Sequence, residues 1–256
     1  IGTYPTIPQP FYDLSRLWDG VTDAVNNFIQ DLKNAFDAAI HNGSPLVLDI
    51  DGLSGVELTS LASANAVYWD IDSAKHDGVA EATGWVTGGD GLLAIDLNND
   101  GMINNSGELF GDQTGASNGF LALAQYDSNG DKKITAEDVA WGSLKVWIDS
   151  TLDGFSAPGE LFTLASLGIT SINLAYSNVN TTIAGNDIKQ QSTFVINGNT
   201  QTIVDAYFAY DDTNTVNITN FVIDPAVLSL STQRGYGNLP DLHIAMSKDN
   251  VGTGNL

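Results

Sequence analysis

Apolar positions recur at helical spacing near the start of the chain and change to short continuous runs later. Leu14, Leu17, Trp18, Val21, Val25, Phe28, Ile29, Leu32, Phe36 and Ile40 predict an amphipathic helix or helix pair, interrupted at Gly20. Its polar face carries Asp13, Asp19, Asp23, Asp31 and Asp37 against Arg16 and Lys33. That is the wrong sign for an interfacial membrane helix, so the apolar stripe is expected to pack on protein. Residues 1–10, with three Pro, read as an extended linker, and His41-Asn42-Gly43-Ser44-Pro45 marks a domain boundary. Beyond it, Leu46-Val47-Leu48, Leu92-Leu93-Ala94-Ile95, Leu144 to Ile148 and Ser171 to Leu174 read as strands. Asn118 to Tyr126 reads as a helix. Ser192 to Ile196, a turn at Asn197-Gly198, and Gln201 to Tyr210 predict a β-hairpin. Residues 212–256 hold more β-like pieces and a tail without a clear pattern. The expected fold class is α+β, with short strands and helices around Asp-rich loops.

Composition sharpens this picture. The chain has 256 residues, 43% of them apolar, enough for a real core. Its 9 Lys+Arg against 31 Asp+Glu give a net charge of −22, which argues against nucleic acid and anionic membranes as partners. No apolar run is long enough to span a bilayer. Cys is absent, which excludes disulfides, thiolate metal sites and a Cys nucleophile. His41, His76 and His243 are scattered, and no hydrolase or phosphate-loop motif occurs. The acids are 26 Asp and only 5 Glu, a loop-loving bias. A start at Ile1, without Met, reads as a piece of something larger.

The Asp-rich loops have calcium-loop spacing. Such loops place oxygen ligands at positions 1, 3 and 5, a main-chain carbonyl at 7 and a closing carboxylate at 12, with Gly at 6 for the turn. In Asp127 to Asp138, positions 1, 3, 5, 7 and 12 are Asp127, Asn129, Asp131, Lys133 and Asp138, with Lys132 in place of the Gly. Helical patterns on both sides suggest an EF-hand. In Asp149 to Glu160 they are Asp149, Thr151, Asp153, Phe155 and Glu160, with Gly154 in place. A third loop offers Asp96, Asn98, Asp100 and Met102, and closes one residue late on Glu108. Three such loops predict Ca²⁺ as the cofactor. Two looser clusters, Asp49 and Asp51 with Glu57, and Asp70 and Asp72 with Asp77, share the chemistry but not the spacing. Gly107-Glu108-Leu109-Phe110-Gly111 recurs as Gly159-Glu160-Leu161-Phe162-Thr163, which suggests a repeated loop-then-helix unit.

An ordered set of segments resembles the self-processing module of FrpC-like RTX proteins, which leave the cell by type I secretion. It comprises Ser44-Pro45 through Gly52, Thr83-Gly84-Trp85-Val86, Asp90-Gly91-Leu92-Leu93, Glu108 to Asp112, Asp127 to Asp131 and Gly159 to Phe162. Asn173 to Tyr176 and Gln191 to Phe194 fit the same module, so the resemblance covers about residues 44–211. Arg234-Gly235-Tyr236-Gly237 with Asp241-Leu242 resembles a segment found downstream in related RTX proteins. The resemblance implies calcium-induced folding, then cleavage of an Asp–Pro bond at the module's start. There the Asp carboxylate attacks its own main-chain carbonyl, proline leaves, and water or a Lys amine opens the cyclic anhydride. Here the residue before Pro45 is Ser44, which has no carboxylate, so cleavage at this bond is not expected. One Asp–Pro bond, Asp224-Pro225, lies beyond the module and reads as an ordinary loop dipeptide.

The expected organisation is a linker and amphipathic helix over 1–42, a calcium-binding module over 43–211 and an extension over 212–256. The expected protein is secreted or displayed on a bacterial surface. Its partners would be other domains of the same polypeptide or a cell-surface protein. Two other readings are an active autoprocessing enzyme that forms Asp–Lys isopeptides, and an adhesin presenting Trp141, Tyr207 and Tyr236 on a β surface.

Overall fold

The computed structural model describes residues 43–63, 66–71, 79–218, 225–231, 233 and 241–250. The N-terminal amphipathic helix, Asp72, Asp77, Asp224 and the segment around Tyr236 lie outside the described residues. By contacts the chain divides into Ile1–His41 and Asn42–Leu256.

The described fold is mostly β, not α+β. Its strands are β1 (Leu46–Leu48), β2 (Val67–Trp69), β3 (Val79–Thr83), β4 (Gly91–Ile95), β5 (Lys133–Thr135) and β6 (Leu144–Trp147). They continue as β7 (Leu161–Thr163), β8 (Ile169–Asn173), β9 (Ser177–Ile183), β10 (Asn186–Ile196), β11 (Asn199–Tyr207) and β12 (Tyr210–Asn217). The α-helices among the described residues are α1 (Gly119–Ala124) and α2 (Leu242–Asn250), the latter in a tail without a clear sequence pattern. None is long and apolar enough to cross a membrane.

Nine strands form a curled antiparallel sheet in the order β5-β8-β10-β11-β1-β4-β6-β7, with β9 on the free half of β10. A second sheet runs β12-β3-β2. The continuous apolar runs have a physical reason: the central strands β1, β4 and β6 are covered on both faces. Leu46, Leu48, Leu93, Ile95, Leu144 and Val146 face one core with α1 residues Phe120 and Leu123. Their strand neighbours Val47, Leu92, Ala94 and Trp147 face the other core, with Val67 and Trp69 of the second sheet. There Trp69, Trp85 and Trp147 form a triad with ring centroids 5.3–5.5 Å apart.

The predicted hairpin is present and longer than expected. Asn197 and Gly198 both have positive φ, 51° and 80°, the geometry of the tight two-residue turn that suits twisted strands. Asn118 caps α1 by accepting the Leu121 N–H at 2.9 Å.

Helices do not flank the Asp-rich loops as in an EF-hand. The Asp127 loop comes after α1 but leads into β5. The Asp149 loop joins β6 to β7. The repeated Gly-Glu-Leu-Phe segment likewise starts no α-helix, although Ser106–Glu108 in the first copy forms a single 3-10 turn. Leu109 bridges Ala94 of β4, and Leu161 pairs with Trp147 of β6. Each copy is a strand, a loop and a returning β segment. The carboxylate needed at the end of the loop also ends the turn, so loop spacing alone looks the same before a helix or a strand.

Candidate functional site

The three predicted loops share one internal architecture. In each, the position-1 carboxylate accepts the N–H of position 6 at 2.9 Å: Gly101 to Asp96, Lys132 to Asp127 and Gly154 to Asp149. The position-5 carboxylate accepts the N–H of position 7 at 2.8 Å: Met102 to Asp100, Lys133 to Asp131 and Phe155 to Asp153. The closing acid bridges positions 2 and 9. Glu108 accepts from Leu97 and Asn104, Asp138 from Ser128 and Thr135, and Glu160 from Ser150 and Ala157, all at 2.8–3.1 Å. Asn98 and Asn129 at position 3 each accept the position-5 N–H at 2.9 Å. Thr151 at the same position donates to Asp149 instead.

Backbone conformation repeats as well. Position 4 is left-handed in all three (Asn99, Gly130, Leu152), and so is position 6 (Gly101, Lys132, Gly154). Lys132 takes up the turn at φ 67° that a Gly was expected to hold. Glu108, Asp138 and Glu160 are all buried, whereas positions 3 and 5 are exposed. The late Glu108 therefore occupies the same place as the acids at position 12.

Electrostatics differ among the closing acids. Burial pushes Glu108 up, reinforced by the charges of Asp100 and Asp96, against the N–H groups of Asn104 and Leu97. Burial also opposes ionisation of Asp138 and Glu160, but hydrogen bonds win there and both lie below the usual carboxylate range. Hydrogen bonds led by the Met102 N–H likewise hold Asp100 down. The donor sets are hard and oxygen-rich, which fits Ca²⁺ or a similar hard cation.

A fourth acidic group combines Asp49 and Asp51 with Asp90, whose carboxylate oxygens lie within 4.8 Å of one another. Asp90 accepts the N–H groups of Ile50 and Glu57, and burial pushes it up to about 6. Glu57 thus joins through its backbone, and the carboxylate that completes the group is Asp90, which loop spacing did not indicate. Asp70 is buried.

Position 44 lies in a second, separate setting. Ser44 is fully buried, one residue before Pro45 and two before β1. The segment is clamped on both sides. Gly43 donates to Asp112 Oδ1 and Asp112 N–H donates to Ser44 Oγ, each at 3.1 Å. Leu46 N–H donates to the Phe110 carbonyl at 3.0 Å, and Ala206 N–H to the Pro45 carbonyl at 3.1 Å. Gly111 lets the chains approach: a Cβ there would lie 2.4 Å from the Ser44 carbonyl oxygen. Gly111→Ala is expected to shift this segment and cost about 1–3 kcal/mol, read as a lower thermal midpoint.

Asp205 and Tyr207 of β11 complete the pocket, with the Ser44 side chain beside both. Asp205 pairs with Leu46 across the sheet and is fully buried. Its Oδ2 accepts the Gly119 N–H at 2.6 Å, while Oδ1 is buried without a hydrogen-bond partner. Burial pushes Asp205 up to about 8, with Asp112 adding to the rise and Lys189 opposing it. Burial likewise pushes the Tyr207 phenol well above its usual range. Lys189 Nζ sits 3.8 Å from the Tyr207 ring centroid. None of Asp112, Lys189, Asp205 and Tyr207 stands out as a site residue from spacing. The available signal is an acid inside the apolar run Ile203-Val204-Asp205-Ala206-Tyr207.

The titration of Asp205 has a definite sign. In the unfolded chain the carboxyl loses its proton near pH 4; in the folded chain it holds it to about 8. Its contribution therefore favours folding at low pH and is lost as pH rises through that window. Asp205→Asn removes this slope, so its melting temperature should gain on the parent's as pH rises from roughly 4 to 8. A variant that loses ground across the window contradicts a protonated Asp205.

Residues 46–209 match the family model of the SPM domain. The chain belongs to that family. The match begins just after Pro45, so the SPM domain starts where β1 starts. Over 213 residues the chain is 38% identical to "Iron-regulated protein FrpA" of Neisseria meningitidis serogroup C. That alignment takes in 80% of this chain and 19% of the relative, so the chain corresponds to a small part of a much longer protein. All three Asp-rich loops and the pocket around Asp205 lie within the SPM domain, while Ser44 lies just ahead of it.

Proposed function

We propose that this SPM domain is a calcium-binding module of a secreted RTX protein, folded by Ca²⁺ outside the cell, and that it lacks the nucleophile for Asp–Pro self-cleavage. The observation that carries the calcium reading is the cradle shared by three loops. Each brings three carboxylates and further oxygen donors together. Without a cation these groups repel, and a cation bound only by the folded form stabilises it by mass action. Affinities on the order of 10⁻⁴–10⁻³ M would suit extracellular calcium. Secretion of this chain is inferred from its kinship with FrpA and from the RTX resemblance.

A calcium titration followed by circular dichroism, with the endpoint run on a gel, tests both halves. The expected result is a cooperative gain of β structure near millimolar Ca²⁺ and an intact band. No response to calcium overturns the first half, and new fragments overturn the second. The adhesin reading loses much of its proposed surface. Tyr207 is buried in the pocket, and Trp141 packs against the core that contains Phe120.

A further inference from the structure

Resting on the reading of this chain as a self-processing module without its nucleophile, we propose that Asp205 is the proton donor to the proline nitrogen in that reaction. The donor is retained here although Ser44 leaves it unused. An amide C–N bond does not break to a bare nitrogen anion; the departing nitrogen must collect a proton as the bond opens. Position 44 is fully buried, so bulk water is a poor source. The donor has to come from the pocket wall.

Asp205 has the required placement. It stands opposite Leu46 in the sheet, and the neighbouring Ala206 N–H holds the Pro45 carbonyl. The Ser44 side chain lies beside it. One of its oxygens accepts the Gly119 N–H, the other is buried without a hydrogen-bond partner, and the Ser44 side chain acts on the carboxyl group in favour of its ionised form. An ionised carboxylate would leave that oxygen unsatisfied, whereas a protonated carboxyl costs much less there. The other titratable groups around this oxygen are Asp112, Lys189, Tyr207 and, next to Tyr207, Tyr176. Asp112 disfavours a charge on Asp205, and Lys189 favours one from a half-buried position. Tyr207 also faces position 44, but its proton is held too tightly to match neutral pH.

Atoms and charges balance in this step. In a Ser44→Asp variant, an oxygen of the introduced carboxylate attacks the main-chain carbonyl carbon of the same residue. The bond from that carbon to the Pro45 nitrogen breaks, and the nitrogen takes the proton of Asp205. The products are a five-membered cyclic anhydride, a free secondary amine at Pro45 and an ionised Asp205. Water then opens the anhydride to two carboxyl groups, and the proton released restores Asp205.

The experiment compares the parent, Ser44→Asp, and Ser44→Asp with Asp205→Asn, all in millimolar Ca²⁺, by gel and mass spectrometry. Ser44→Asp is expected to release a fragment beginning at Pro45. Adding Asp205→Asn should slow that release by about 100-fold or more, with circular dichroism unchanged. The cleavage rate of Ser44→Asp should fall above about pH 8, and that alkaline limb should vanish in the double variant. Equal rates and equal pH profiles overturn the role of Asp205 but leave the self-processing reading intact. A folded Ser44→Asp that stays whole for days overturns that reading and the donor with it. Should Ser44→Asp fail to fold, the carboxyl carbon NMR signal of Asp205 in the unaltered protein decides. It is expected to be protonated at neutral pH, and a titration near pH 4 overturns the proposal.

Discussion

Asp149→Ala is expected to be the most damaging single change in the three Asp-rich loops, and to damage the protein whether or not calcium is present. Asp149 is buried, unlike the other position-1 residues. Its Oδ2 accepts the Gly154 N–H at 2.9 Å and the indole N–H of Trp85 at 2.8 Å. Its Oδ1 accepts the Asp153 N–H and the Thr151 hydroxyl, both at 3.3 Å. Truncation strands the fully buried Trp85 N–H, at about 1–3 kcal/mol, and loosens a turn that holds two left-handed residues. In calcium the variant also loses the site, worth about 1.4–2.7 kcal/mol at ten to a hundred times the dissociation constant. Asp127→Ala should behave differently, because its carboxylate supports the loop alone. Its penalty should be seen mainly with calcium present, as a higher calcium midpoint. Urea melts of both variants with calcium and with chelator separate the two cases. If Asp149→Ala is no worse than Asp127→Ala in chelator, the link from this loop to the tryptophan core is wrong. Glu160→Ala, which frees the N–H groups of Ser150 and Ala157, should fall between them.

The second large effect is expected at Trp147. This ring is fully buried and packs against its neighbours Trp69 and Trp85 on the face where the two sheets meet. Trp147→Ala should cost about 3–5 kcal/mol through lost burial and an unfilled cavity. That is a large part of the roughly 5–15 kcal/mol that holds a typical domain together. Trp147→Phe should cost far less. It keeps most of the ring and removes an indole N–H that is buried without a hydrogen-bond partner. Thermal melts in saturating calcium read both. Equal losses for Ala and Phe would mean that the indole itself, not its volume, carries the contact.

The parts of the fold legible in the sequence are those with local causes. Leu46-Val47-Leu48 and Leu92 to Ile95 are apolar without alternation because both sheet faces are covered, and they read as strands for that reason. Asn197-Gly198 has the residue types that tolerate its turn at little cost. The helix α1 has its Asn118 cap. The three Asp-rich loops are legible as local units too, since each spaced set of side chains folds back on its own turn. The fold class is not. An Asp-rich loop fixes its own turn but not the element after it, so helix-like loop spacing points to a helix where β7 forms. The second sheet is legible only in part, since β12 runs into the stretch of β-like pieces after residue 211 but β3 carries no such signal. Its strand β3, Val79-Ala80-Glu81-Ala82-Thr83, has a helix-neutral composition and is a strand only through its pairing with β2 and β12. The pocket at position 44 is invisible for a related reason. Asp205 reaches it through the pairing of β11 with β1 and Asp112 through its hydrogen bonds to Gly43 and Ser44, and no local spacing records that.

The strand just after position 44 is central, and one of its two partners, β11, comes late in the chain. β1 lies between β4 and β11, with Leu46 opposite Asp205. Until the segment around residue 205 is available, position 44 has only its contacts with Asp112 and Phe110, without the clamp on the Pro45 carbonyl and without Asp205. The pocket is therefore a sensor of completeness. Loop closure over so many residues makes it one of the slower contacts to form. A chain that is truncated, or stalled before its long hairpin has formed, leaves the segment around Pro45 held on one side only.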